Sequence, residues 1–146
     1  MVSLKKIFFF SCIAFFFICG SGCKKTTTCN GVPNVSVYFT IDVNGGLYAP
    51  IQYTGGSMEV SGGNAGIAIY RYQADQFQAY DCMCPYDGAG NTSAVVQIQT
   101  NKIMVTCPVC GSSFLLSDGS VSKGPATCPL KAYKTNFDGT NLTVSN

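Results

Sequence analysis

An all-β domain, built as a small antiparallel sandwich or partly open barrel, is the fold this sequence predicts. Short runs of β-branched and aromatic residues recur from Pro33 onward. Gly, Asn and Asp punctuate them, and no stretch holds a helical period over a useful length. Closely spaced short strands of this kind satisfy their hydrogen bonds in sandwiches and barrels.

The first run is the clearest. Val35 to Val43 (VSVYFTIDV) alternates, setting Val35, Val37, Phe39, Ile41 and Val43 on one face and mostly polar residues on the other. Asn44-Gly45-Gly46 then turns the chain. Further runs follow at Ser57 to Val60, Gly66 to Tyr72, Phe77 to Tyr80, Ala94 to Gln99, Lys102 to Cys107, Ser113 to Leu116, Lys131 to Asn136 and Asn141 to Val144, separated by turns such as GGN, GAGN, SDG and FDG. Thr100-Asn101 joins two of them as a hairpin. With 10 Phe and 8 Tyr but no Trp, the core is expected to lean on Phe and Tyr rings. The Gly-Gly pairs are turns and not a phosphate loop, because no helix or lysine follows at the required offset.

The N-terminus has the build of an export signal. Lys5 and Lys6 precede an apolar run, Ile7 to Cys19, too short to span a bilayer as a permanent helix, and Gly20-Ser21-Gly22 leads into Cys23. That arrangement resembles the lipobox of bacterial lipoproteins, in which the cysteine is lipidated and becomes the mature N-terminus; Gly20 stands where leucine is usual. Three segments follow from it: a signal at 1–22, a lipid anchor and polar stalk at 23–32, and one β domain at 33–146. The resemblance implies a chain held by Cys23 at the bacterial cell envelope. Lys24, where an aspartate would retain the protein, leans the expectation toward the outer membrane, facing the periplasm.

Of nine Lys and Arg, Lys5 and Lys6 leave with the signal, so the mature chain balances its seven Asp and Glu. A formally neutral chain with no basic cluster beyond Lys24 and Lys25 offers nothing for nucleic acid. The membrane is the expected partner, through the lipid on Cys23, together with a redox or envelope protein that the sequence does not identify.

Catalytic residues are not expected. The chain has no histidine, which removes a Ser-His-Asp set. Asp81, Asp87 and Asp118 sit at turns, where carboxylates usually accept backbone N–H bonds. Asn91-Thr92-Ser93 reads as a surface turn.

Chemistry is concentrated in the cysteines. Beyond the signal and Cys23 there remain Cys29, Cys82, Cys84, Cys107, Cys110 and Cys128, and outside the cytoplasm the ordinary fate of each is a disulfide. Two loops hold four of them: Asp81-Cys82-Met83-Cys84-Pro85-Tyr86-Asp87-Gly88, and Cys107-Pro108-Val109-Cys110-Gly111-Ser112-Ser113-Phe114. The strands Ala94 to Gln99 and Lys102 to Cys107 carry the chain from one to the other. Ligand loops on neighbouring hairpins are a common way to assemble a metal site in a β protein.

From about Ser57 to Ser145 the sequence resembles a Rieske-type iron–sulfur domain. FQAYD, CPYDG, CPVCGSSF, LSDG, KGPA and CPLKAY occur in that family's order and at similar spacing. The resemblance places Cys84 and Cys107 on the two cluster cysteines, and Tyr86 and Cys110 on the two histidine positions. A Rieske centre needs two imidazoles on one iron, so an ordinary centre of that type cannot form here.

Several occupants stay open. Cys82, Cys84, Cys107 and Cys110 make the ligand count of zinc or of an all-cysteine cluster, although the C-x-C pair requires a sharp turn at Met83. A [2Fe-2S] cluster on Cys84, Tyr86, Cys107 and Cys110 keeps the family's positions, with Gly111, Ser112 and Ser113 as hydrogen-bond donors to sulfur. A metal-free domain stapled by disulfides is the alternative, with Cys84 bonded to Cys107 by the resemblance, or Cys107 to Cys110, and Cys29 free to pair with Cys128. Thiol redox activity is the weakest reading, since no helix N-terminus follows CPVC to depress its thiol pKa.

Overall fold

The computed structural model describes residues 31–146. The segment expected to be an export signal, Cys23 with its expected lipid, and Cys29 lie outside the described residues, and no helix among those described is long and apolar enough to cross a membrane.

Ten strands and one short 3-10 helix make up the domain: β1 (Tyr38–Asp42), η1 (Gly46–Ile51), β2 (Ser57–Val60), β3 (Ile67–Gln73), β4 (Gln76–Asp81), β5 (Gln97–Ile98), β6 (Met104–Thr106), β7 (Ser113–Leu115), β8 (Val121–Lys123), β9 (Ala132–Phe137) and β10 (Asn141–Ser145). A six-stranded sheet runs β1-β10-β9-β4-β3-β2, and a four-stranded sheet runs β5-β6-β7-β8. All named strand pairings are antiparallel. The expected all-β class holds.

The alternation in the first run survives as packing. Val37, Ile41 and Val43 are buried and Phe39 half-buried, while β1 pairs with the distant β10 along the register Ile41↔Leu142. The Asn44-Gly45-Gly46 turn therefore does not make a hairpin. It feeds η1, which seats Ile51 in the core. The six-stranded sheet buries Ile51, Ile67, Ile69, Phe77, Ala79, Leu142 and Val144 in one cluster.

A second cluster supports the cysteine loops. Tyr80, Val96, Val105, Phe114, Leu116 and Leu130 pack beneath Cys84 and Cys107, so the two cysteines rest on a rigid apolar floor. The predicted strand at Ala94 to Gln99 is shorter than expected. Only Gln97 and Ile98 pair with β6, at Thr106 and Val105. The preceding residues turn to the other side, where Met83 bridges Val95 and the Val96 N–H donates to the Cys82 carbonyl at 2.7 Å. That change of partner ties the end of β4 to the small sheet. It also leaves the cysteine loops side by side.

Buried Asp81 fixes the geometry at the end of β4. Its Oδ2 accepts from the Tyr133 hydroxyl at 2.6 Å and from the Asn64 backbone and side-chain nitrogens at 2.8 Å each, and its Oδ1 accepts from the Met83 N–H at 2.9 Å. One carboxylate thus joins β9, the turn before β3 and the entry to the first cysteine loop. Gly63 sits at φ +62° beside it, where a Cβ would stand 2.7 Å from Asp81 Oδ2.

Candidate metal centre

The two cysteine loops fold alike because their sequences share one pattern, Cys-Pro-x-(Asp or Cys)-Gly. In each, the N–H of the final glycine donates to the carbonyl of the cysteine four residues earlier, Gly88 to Cys84 at 2.8 Å and Gly111 to Cys107 at 2.9 Å. In each, the cysteine's own N–H closes the loop, Cys84 to Ala94 O and Cys107 to Ser112 O, both at 2.9 Å. Gly111 has φ +73°, a left-handed turn end suited to glycine. Gly88 is required differently: a Cβ there would run into the Met83 side chain and the Cys84 carbonyl.

These tight turns aim backbone N–H groups at sulfur. Cys84 receives hydrogen bonds from the N–H groups of Asp87 and Tyr86, and Cys107 from those of Cys110 and Val109. Donors pointed at a sulfur favour its anionic form. Burial opposes them: it pushes the Cys84 thiol up to about 12, whereas at Cys107 the N–H donors and the neighbouring Cys84 and Cys110 thiols overcome burial and hold the thiol below its ordinary value.

Four side chains converge between the loops. Single donor atoms of Cys84, Asp87, Cys107 and Cys110 all lie within 4.8 Å of one another, and the sulfurs of Cys84 and Cys110 are 3.8 Å apart. Asp87 Oδ2 is buried and has no hydrogen-bond partner. Behind Cys110, buried Ser112 places its Oγ 3.1 Å from the sulfur and accepts the Ala126 N–H at 2.8 Å. With that lone pair engaged, the Ser112 hydroxyl proton is free to point at a Cys110 thiolate. Gly111 and Ser113 act otherwise: Gly111 ends the turn, and Ser113 Oγ pairs with Thr106 Oγ1 at 2.9 Å.

The structure brings Cys84, Cys107 and Cys110 together and leaves two sequence candidates outside. Cys82 is buried beneath the site, against Gly66 and Ala68, where burial pushes its thiol up to about 12. Met83 is held extended by its bridge to Val95, and an extended C-x-C separates its two cysteines by about 6.6 Å along the strand. Cys82 is therefore a core residue and not part of the converging set. Tyr86 is 56 % exposed at the loop tip and contributes its backbone N–H to Cys84. The residue after it, Asp87, supplies the side chain instead. Asp87 is thus not the turn-capping carboxylate its position suggests, and the sequence signal that it matches Cys110 is the shared loop pattern.

The alternative of a Cys84–Cys107 disulfide, or of a local Cys107–Cys110 bond, is not what the structure shows: Cys82, Cys84, Cys107 and Cys110 are all free thiols. Each loop holds its own sulfur by N–H bonds directed at the shared centre. Cys128 is disulfide-bonded. Cys29 lies outside the described residues.

A β domain whose paired Cys-Pro loops present thiols over an apolar floor is the architecture of a metal-binding domain with hairpin-borne ligands. The sequence profile of the family described as "Rieske-like [2Fe-2S] domain" matches residues 29–145, and the chain belongs to that family. Two solved structures share the fold. One is from the complex of reduced oxygenase and oxidized ferredoxin in carbazole 1,9a-dioxygenase, at 20 % identity and TM-score 0.51 over 75 % of this chain and 93 % of that one. The other is the cyanobacterial plasma membrane Rieske protein PetC3 from Synechocystis PCC 6803, at 23 % identity and TM-score 0.51 over 62 % and 86 %. No curated protein matches the chain. The thiol-rich donor set is compatible with iron–sulfur chemistry, while the imidazole-ligated form of the cluster does not fit a chain without histidine.

Proposed function

We propose that this chain is a lipid-anchored, metal-binding domain of the bacterial cell envelope that serves one-electron transfer through thiolate-held iron. The observation that carries this reading is the convergence of Cys84, Cys107 and Cys110 with backbone N–H groups already aimed at Cys84 and Cys107. Such donors stabilise negative sulfur before any metal arrives, and in iron sites they raise the reduction potential. Family membership supports a redox role. Cys23 supports anchoring through its lipobox-like setting, with Lys24 favouring the outer membrane and a periplasmic face. Cys84, Cys107 and Cys110 would hold the iron, whose ferric/ferrous couple would accept an electron from one partner and pass it to another, and Ser112 and the loop N–H groups would set its electrostatic surroundings. The partner is a redox or envelope protein reached from the membrane surface.

Zinc fits the same thiols, and would make the site a structural clasp with no electron to transfer. Elemental analysis and a visible spectrum of the full chain, exported and purified in detergent without reductant, decide the matter. Iron and thiolate-to-iron colour are the expected result. Zinc alone would reduce the function to a structural or binding role, and a metal-free, colourless protein would overturn the reading.

A further inference from the structure

The geometry points to a site for one metal ion, held by Cys84, Cys107, Cys110 and Asp87, in place of a two-iron cluster; this rests on the metal-binding reading above. The distances decide the nuclearity. Around a single four-coordinate ion with metal–sulfur bonds of about 2.3 Å, tetrahedral thiolates stand about 3.8 Å apart. The sulfurs of Cys84 and Cys110 are separated by 3.8 Å, and no two of the four donor atoms are further apart than 4.8 Å. In a sulfide-bridged iron pair, the same bond length and near-tetrahedral angles put ligands of opposite irons roughly 5.5 Å apart or more. In the family's arrangement Cys84 and Cys107 would share one iron and Cys110 would belong to the other, yet the Cys84 and Cys110 sulfurs are too close for ligands of opposite irons.

The fourth ligand follows from the matched loops. Asp87 occupies in the first loop the place Cys110 occupies in the second, three residues after the leading cysteine and just before the glycine that ends the turn. Its carboxylate is aimed among the sulfurs, and Oδ2 is buried without a partner. A buried carboxylate oxygen left unpaired is costly, and an ion among the thiolates supplies what it lacks. Three thiolates and one carboxylate suit zinc, ferrous iron or cobalt, all of which accept tetrahedral sulfur-rich sites.

Cobalt(II) titration of the full chain, in detergent and under argon, tests both the number and the ligand. The expected outcome is one cobalt per chain, with intense tetrahedral d–d bands and thiolate charge-transfer absorption. Asp87→Ala is expected to weaken cobalt binding by at least about tenfold. Asp87→Cys, which keeps a ligand in place, is expected to raise charge-transfer intensity by about one third as three thiolates become four. Tyr86→Phe is expected to change neither. Far-UV circular dichroism establishes that each variant is folded. Two metals per chain, or iron with stoichiometric sulfide in the exported protein, would overturn the single-ion assignment while leaving metal binding intact. An Asp87 pair of variants with unaltered affinity and spectrum would overturn the carboxylate's role. Failure of the unmodified chain to bind any cobalt, zinc or iron would sink the metal reading itself.

Discussion

Cys84 and Cys110 lie 26 residues apart in the chain, yet their sulfurs are 3.8 Å from each other. Two loops of the same pattern, brought side by side with the help of the bridge between Met83 and Val95, produce that approach. Neither cysteine reaches the other through a local turn. Replacing Cys84, Cys107 or Cys110 singly by serine should therefore cost more than about 100-fold in metal affinity, beyond what is typical of groups that merely orient a ligand. Competition with a chromophoric chelator measures it, and a variant that keeps the affinity of the unmodified chain would contradict a site shared by all three.

Ser112 contacts the site without belonging to it. Its hydroxyl bridges the Ala126 N–H and the Cys110 sulfur. Ser112→Ala should weaken metal binding by about 10- to 100-fold. It should also lower the stability of the metal-free protein by about 1–3 kcal/mol, because the Ala126 N–H is left buried and unpaired. Chelator competition and urea unfolding read the two effects separately.

The thiols predict an alkaline weakness in the metal-free protein. Burial raises Cys82 and Cys84 from 9.0 to about 12. Between those limits the unfolded chain ionises while the folded one keeps its protons, so the folded state binds more protons and stability falls as pH rises from about 9 toward 12. Cys82→Ala should flatten that fall and leave metal affinity within about threefold of the unmodified chain, because Cys82 is outside the converging set. Urea midpoints across that pH range provide the check. For the metal-bound form the slope has the opposite origin: ions displace thiol protons, so apparent affinity climbs with pH.

Four hydrogen bonds converge on the buried carboxylate of Asp81. Asp81→Ala should destabilise the domain by about 3 kcal/mol or more, since the Asn64 and Met83 N–H groups and the Tyr133 hydroxyl lose their acceptor together. Tyr133→Phe removes one donor and should cost only about 1–2 kcal/mol. Chemical denaturation of both variants tests the ranking; equal costs would contradict Asp81 as the hub.

Most of the framework was legible because side-chain alternation reports directly on a pleated, half-buried surface. The Val35 to Val43 alternation and the Ser57 to Val60 run carried through to β1 and β2. Other elements gave no such signal. β8, Val121–Lys123, keeps only Val121 half-buried, so it has no apolar face to read. η1 contains Pro50 and two turns' worth of residues held by the fold around Ile51, with no periodicity of its own. At the site, the Cys-Pro loops announced Cys84, Cys107 and Cys110. Cys82 misled because a C-x-C reads as a ligand pair, and only the bridge at Met83 reveals that the chain stays extended there. Asp87 was missed because a turn aspartate ordinarily serves the backbone; its oxygen is instead buried between loops that meet only in the folded chain.

X-ray absorption at the edge of the metal carried by the exported full chain, or of zinc added to it, bears most directly on the centre. A single ion is expected there, with three sulfurs at about 2.3 Å, one oxygen at about 2.0–2.2 Å and no neighbouring metal. A second metal beyond the sulfur shell, or a shell of oxygen and nitrogen without sulfur, would contradict it.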